Sequence, residues 1–104
     1  MSRVIYVELD GTLVEQGTMK PVEAVVRMIK GALANGDEVR VLEPLGQSEG
    51  YLRAIAALTE SVFGERLLIV NAIECDMTEF WSHRVLQLEL NTGRRMVPRK
   101  SFGG

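Results

Sequence analysis

One stretch near the start constrains the fold more than any other: Val4-Ile5-Tyr6-Val7-Glu8-Leu9-Asp10-Gly11-Thr12-Leu13. Its β-branched and aromatic residues favour a pleated, buried strand, and Asp-Gly ends that strand abruptly. Glu8 and Asp10 stand two apart, so along a strand their carboxylates share one face. Gly11 lets the backbone turn where other residues resist, and Thr12 offers a hydroxyl that can donate or accept. In an open α/β sheet, ligands bind outside the carboxyl ends of the strands. The stretch therefore sets two acids at the lip of an expected site.

The rest of the chain supplies elements that fit such a sheet. Pro21 suits the first turn of a helix, and Val22, Val25, Val26, Ile29 and Leu33 recur at helical spacing up to an Asn35-Gly36 cap. Residues 38–42 alternate and read as a second strand, before Pro44 and Gly46 impose a loop. A second helix is expected from Glu49 to Phe63, with Leu52, Ile55, Ala56, Leu58 and Val62 on its buried side and Gly64 closing it. Leu67 to Val70 forms a short apolar run suited to a strand covered on both faces. Residues 71–82 read as a loop with one helical turn, and Val85 to Glu89 as a last strand closed by Asn91-Thr92-Gly93. Strands alternating with helices imply parallel pairing by right-handed crossovers. The expected fold is a small three-layer α/β domain with a mostly parallel sheet and the first strand in its middle.

Size and composition narrow the function. The 104 residues suffice for one domain, taken as 1–93, and 46% hydrophobic with 25% charged residues is ordinary for a globular chain. Arg94, Arg95, Arg99 and Lys100 stand in a segment without acids, so the body is more acidic than the net charge of −2 suggests. An acidic body argues against a nucleic-acid partner, and residues 94–104 read as a basic, flexible tail. No apolar stretch approaches the ~20 residues of a membrane span, and no signal peptide is expected. The single cysteine, Cys75, lies between Glu74 and Asp76, which suits a structural thiol in a reducing, cytoplasmic compartment. Homo-oligomerisation is left open.

Glu8-Leu9-Asp10-Gly11-Thr12 after an N-terminal strand resembles the first motif, Asp-x-Asp-Gly-Thr, of the haloacid dehalogenase-like (HAD) phosphohydrolases. The second half resembles compact members of that group without a large cap domain, often carried by bacteriophages. Those commonly have Trp-Asp-Asp-Arg before the last strand and Asn-Thr-Gly after it. Here Trp81-Ser82-His83-Arg84 and Asn91-Thr92-Gly93 stand in those places. The resemblance covers residues 3–93 and implies a HAD-like, Rossmann-like sheet.

It also implies a chemistry whose stations are altered here. HAD phosphohydrolases use an Asp nucleophile, a second Asp as acid and base, a Ser or Thr and a Lys or Arg on the phosphoryl oxygens, and acids holding Mg²⁺. The nucleophile position is Glu8, whose extra methylene displaces the carboxylate by about 1 Å, a misplacement that can cost ~10²-fold in rate. The hydroxyl position falls on Glu43, the Lys position near Ile73, and the paired acids are Ser82-His83. Only Asp10 keeps its station. The expectation is a fold retained and a phosphatase lost.

Isolated glutamates at strand ends are usually solvated. Beside Asp10, however, Glu8 and Glu43 point to a shared acidic pocket whose members would raise one another's pKa or require a cation. That cation could be a metal, His83, Arg84 or an amino group of a ligand. His83 reads equally as a structural histidine or a site residue, and Arg84 as a structural ion pair or a ligand contact. Phe80, Trp81 and Tyr6 are expected in the core, and Tyr51 near the pocket mouth.

The expected function is therefore a noncatalytic pseudoenzyme binding a small molecule through Glu8, Asp10, Gly11, Thr12, Glu43, His83 and Arg84. The phage setting implied by the resemblance suggests a nucleotide-derived ligand, such as a sequestered host immune signal, with the host cytoplasm as compartment. No catalytic residue, metal or cofactor is expected. The alternative is a residual Mg²⁺-dependent phosphohydrolase using Asp10 and Glu8, where any metal would fall to Glu8, Asp10 and His83. A protein-interaction module is the third class.

Overall fold

The computed structural model describes residues 2–84. The expected strand at residues 85–89, the Asn91-Thr92-Gly93 turn and the basic tail lie outside the described residues, as does the end of the 1–93 domain. The elements are β1 (Val4–Glu8), α1 (Glu23–Ala34), β2 (Glu38–Leu42), α2 (Glu49–Phe63), β3 (Leu68–Val70) and β4 (Glu79–Trp81). The strands form one sheet of order β3-β2-β1-β4, parallel at every pairing. This small α/β domain is compatible with a three-layer Rossmann-like fold.

β1 lies between two hydrogen-bonded neighbours, as its apolar run requires. Val4 to Glu8 register with Glu38 to Leu42 on one side, and Ile5 to Val7 register with Glu79 to Trp81 on the other. Ile5, Val7, Val39 and Val41 join Ile29 and Ala32 of α1 and Ile55 of α2 in one buried cluster. Each such aliphatic side chain contributes roughly 1.5–3 kcal/mol when taken fully out of water.

The alternate β1 face is built differently. Tyr6 is fully buried, its ring 5.3 Å from the Arg40 guanidinium, and its phenolic oxygen accepts from Arg40 Nη1 (2.7 Å) and from the Glu74 N–H (3.1 Å). Arg40 also pairs with Asp76 (2.9 Å) and Glu38 (2.6 Å). Hydrogen bonds from Arg40 to these acids hold its pKa even above the usual arginine range. The segment 71–78 is thus tied to the sheet by a carboxylate and a backbone amide. Tyr6→Phe is expected to strand the Glu74 N–H and leave Arg40 Nη1 with Asp76 alone, and to cost about 1–2 kcal/mol, read by urea unfolding. The Glu74 amide should lose its exchange protection in the same variant.

Both helix ends follow from local sequence. Gly36 takes φ +86°, its N–H bonding the Leu33 carbonyl (3.0 Å) and the Asp37 N–H the Ala32 carbonyl (3.0 Å), the paired bonds of a Schellman cap. Ser48 Oγ accepts the Tyr51 N–H (3.2 Å) at the start of α2. Thr59, buried near the end of α2, donates to the Ala56 carbonyl and accepts the Leu67 N–H (3.0 Å), fixing the entry to β3.

Two expectations are corrected. Pro21 does not open α1: it forms an antiparallel bridge with Val14, the Val22 N–H bonds the Leu13 carbonyl, and the helix begins at Glu23. A ring without an N–H suits that hairpin return as well as it suits a helix start. Residues 71–82 are not loop throughout, because 79–81 form β4. That strand is held by distant groups. Val4 and Thr78 exchange two bonds (2.8 Å each), and Arg3 pairs with Glu79 (2.7 Å), which in turn accepts from Trp81 Nε1 (2.9 Å). Arg3 also clamps the buried Asp37 through its backbone N–H and guanidinium.

Candidate functional site

At the carboxyl end of β1 the backbone folds back on itself. The Leu13 N–H reaches the Glu8 carbonyl (3.1 Å), the Val14 N–H reaches that of Leu9 (3.0 Å), and Gly11 N–H bonds the Val14 carbonyl (2.8 Å). This tight turn needs φ +84° at Gly11, which only glycine adopts without strain. Thr12 is thereby directed toward the end of β4. Asp10 is spent on the following loop, its Oδ1 accepting the Gly17 N–H (2.8 Å).

β4 delivers three polar side chains in sequence, and all three reach Glu8. Ser82 Oγ donates to Glu8 Oε1 (2.6 Å), Arg84 donates from Nε (3.4 Å) and from Nη2, and His83 Nδ1 stands 3.3 Å from Oε1. The Glu8 side chain is only 7% exposed. Burial pushes its carboxyl up, but hydrogen bonds from Arg84 and Ser82, with the positive field of Arg84 and His83, outweigh that and leave it below the usual range. A cluster of uncompensated acids would do the opposite. Of the partners weighed from the sequence, the structure brings the Arg84 guanidinium and the His83 ring to this carboxylate.

His83 is seated by Thr12 and Gly11. Its backbone N–H donates to Thr12 Oγ1 (3.1 Å), and its Nδ1 lies 2.8 Å from the same oxygen. The Nδ1–Cε1–Nε2 part of the ring lies against Gly11, where a Cβ would come within 2.6 Å of Cε1.

Glu43 occupies a different part of the strand ends. Its N–H bonds the Val70 carbonyl (2.8 Å), its Oε1 accepts the Leu45 N–H (2.8 Å), and the residue is 5% exposed. It lines a cleft of about 410 Å³ between the ends of β2 and β3, together with Gln47, Leu52, Ile69 and Asn71. Neither Glu8 nor Asp10 lines this cleft. Tyr51, in the first turn of α2, senses both regions. Burial raises its phenol pKa, and the charges of Glu43 and Asp10 raise it further.

The sequence reading missed Ser82 as a donor to Glu8, having taken it only as a lost acid. It also missed Gln47, Asn71 and Glu74 as cleft residues, for which no motif exists. Several of the donors that an enzymatic reading would give to Mg²⁺ are engaged within the chain. Arg84 and Ser82 occupy Glu8, Gly17 occupies one oxygen of Asp10, and His83 engages Thr12. Among the described residues no three His, Cys, Asp or Glu side chains converge in a metal-holding group. Nor, among those residues, is any helix long and apolar enough to cross a membrane. No protein-family model, curated protein or solved structure matches the chain.

Proposed function

We propose that this chain is a noncatalytic binding protein on a HAD-like scaffold, holding a small nucleotide-derived molecule at the carboxyl ends of its strands. One observation carries the noncatalytic part: the carboxylate at the nucleophile position is buried and bonded to Arg84 and Ser82. A nucleophile needs an accessible lone pair aimed at phosphorus, and a guanidinium fixed on that carboxylate withholds it. The second acid, Asp10, serves the loop through Gly17 instead of standing free for proton transfer. The binding part draws support from the cleft beside Glu43, whose volume falls within the ~300–1,000 Å³ typical of small-molecule sites. The nucleotide-derived character of the ligand follows from the resemblance.

The test is hydrolysis of a generic phosphomonoester and a nucleotide panel with Mg²⁺ and Mn²⁺. No turnover is expected. Glu8→Asp should not create any, because Glu43 and Ser82-His83 still replace the groups that would hold phosphate and metal. Turnover in the wild-type chain that disappears in Asp10→Asn would overturn the proposal in favour of a phosphohydrolase.

A further inference from the structure

Two buried glutamates stand at neighbouring strand ends, and they differ in one respect that matters. Glu8 has its counter-charge in Arg84. Glu43 is as buried, at 5% exposed for each residue, yet among the described residues no Lys, Arg or His pairs with it. Among those residues its hydrogen-bond donor is the Leu45 N–H, on Oε1. A carboxylate offers about four acceptor positions. No fully buried side-chain oxygen among the described residues lacks a partner, so the Glu43 oxygen without one is still reached from outside and has room for a further donor.

The cleft around Glu43 has the character to admit one. Among the described residues no basic side chain lines it, and Glu74 adds a second acid. Leu52, Ile69 and Ala72 give it apolar wall, while Leu45 and Ile73, next in sequence to lining residues, are exposed hydrophobics at 77% and 40%. The Glu43 backbone is held by its N–H on Val70, and its carboxylate by the Leu45 N–H on Oε1.

We propose that the ligand seat is this β2–β3 cleft and that it takes a planar, apolar-bodied cation, an amidinium or protonated aminoheterocycle. The ligand's paired N–H groups donate to Glu43 and its ring lies on Leu52 and Ile69. This rests on the reading of the chain as a binder, and it moves the seat away from Glu8 and Asp10. Paired donors match a carboxylate in a charge-assisted, two-pronged geometry. A phosphate dianion entering the same cleft meets Glu43 and Glu74, with no cation among the described lining residues to offset them.

The experiment is backbone-amide NMR titration of the full chain with benzamidine and 2-aminobenzimidazole, against neutral benzamide and inorganic phosphate. The two cations should shift the amides of Gly46, Asn71 and Ala72, and benzamide and phosphate should not. Glu43→Gln should weaken the cations about tenfold or more. Glu65→Gln, the same charge change at an exposed distant site, should leave them unaltered. Ala72→Leu, on an exposed loop, narrows the cleft without touching the carboxylate and should also weaken binding, which guards against a misfolded Glu43 variant. Equal binding of benzamide, undiminished binding in Glu43→Gln, or no binding of either cation overturns the proposal. Shifts centred on Gly11, Thr12 and Arg84 would overturn it while leaving the noncatalytic reading intact. That reading fails separately, by phosphoester turnover.

Discussion

Gly11→Ala is expected to be among the most destabilising single changes in the chain, at about 2–4 kcal/mol. Two costs combine. An alanine at φ +84° adopts a left-handed conformation worth roughly 1–2 kcal/mol against it. Its Cβ would also stand 2.6 Å from His83 Cε1 and 3.0 Å from Nε2, so the ring must leave. Displacing it sacrifices the Thr12–His83 contact and loosens the turn that delivers Arg84 to Glu8, about 1 kcal/mol more or above. Gly36→Ala provides the comparison: φ is +86° and nothing lies within 4 Å of its added Cβ, so only the backbone cost applies. Urea unfolding of both variants isolates the His83 contact as their difference. Equal losses would mean that His83 is not seated on Gly11.

The same turn shows what could be read in advance and what could not. Gly11, Thr12, His83 and Arg84 were visible as candidates because a short motif marked the end of β1 and a second marked the end of β4. Their mutual arrangement was not visible. From the sequence, the cation beside Glu8 could be a metal, a ligand amine, His83 or Arg84, and no periodicity chooses among them. The choice depends on β4 lying beside β1 in parallel, with Ile5 opposite Glu79 and Val7 opposite Trp81. β4 itself escaped notice for a related reason. Three residues are too few to display alternation, and what holds them comes from Arg3 and Val4, more than seventy positions away.

Longer elements were legible because their signals are local. α2 has the bounds expected from its apolar stripe and from Gly64, although Thr59 rather than a further aliphatic side chain joins Ile55 on the buried side. The hydroxyl belongs there because it caps the Leu67 N–H, a partner eight residues on that helical spacing does not anticipate. Pro21 went the other way. Its fixed φ fits a helix start and a hairpin return alike, and the bridge to Val14 decided between them.

Stability should fall steeply on acidification, and the position of that fall reports on the proposed function. Glu8, Asp37, Asp76 and Glu79 all have carboxyls held below their ordinary range. For Glu8 burial pushes upward but Arg84 and Ser82 prevail; for Asp37 the Arg3 backbone N–H and guanidinium pull it down; Arg40 acts on Asp76, and Arg3 with Trp81 on Glu79. A depressed carboxyl binds its proton more readily in the unfolded chain, so its contribution is complete above the unfolded pKa of ~4 and is lost as pH falls through the folded value. The unfolding midpoint should therefore hold level from about pH 7 to 5 and drop below pH ~4, as the four carboxylates protonate and release their partners. Carbon-detected titration of the Glu8 carboxyl separates its share. In the wild-type chain it should titrate below the usual glutamate range. In Arg84→Ala it should move upward, because burial then acts with its chief opponent removed. A Glu8 that titrates in or above the ordinary range in the wild-type chain, or that ignores the loss of Arg84, would mean that its carboxylate is not locked. The argument that this position has ceased to be a nucleophile would then lose the observation that carries it.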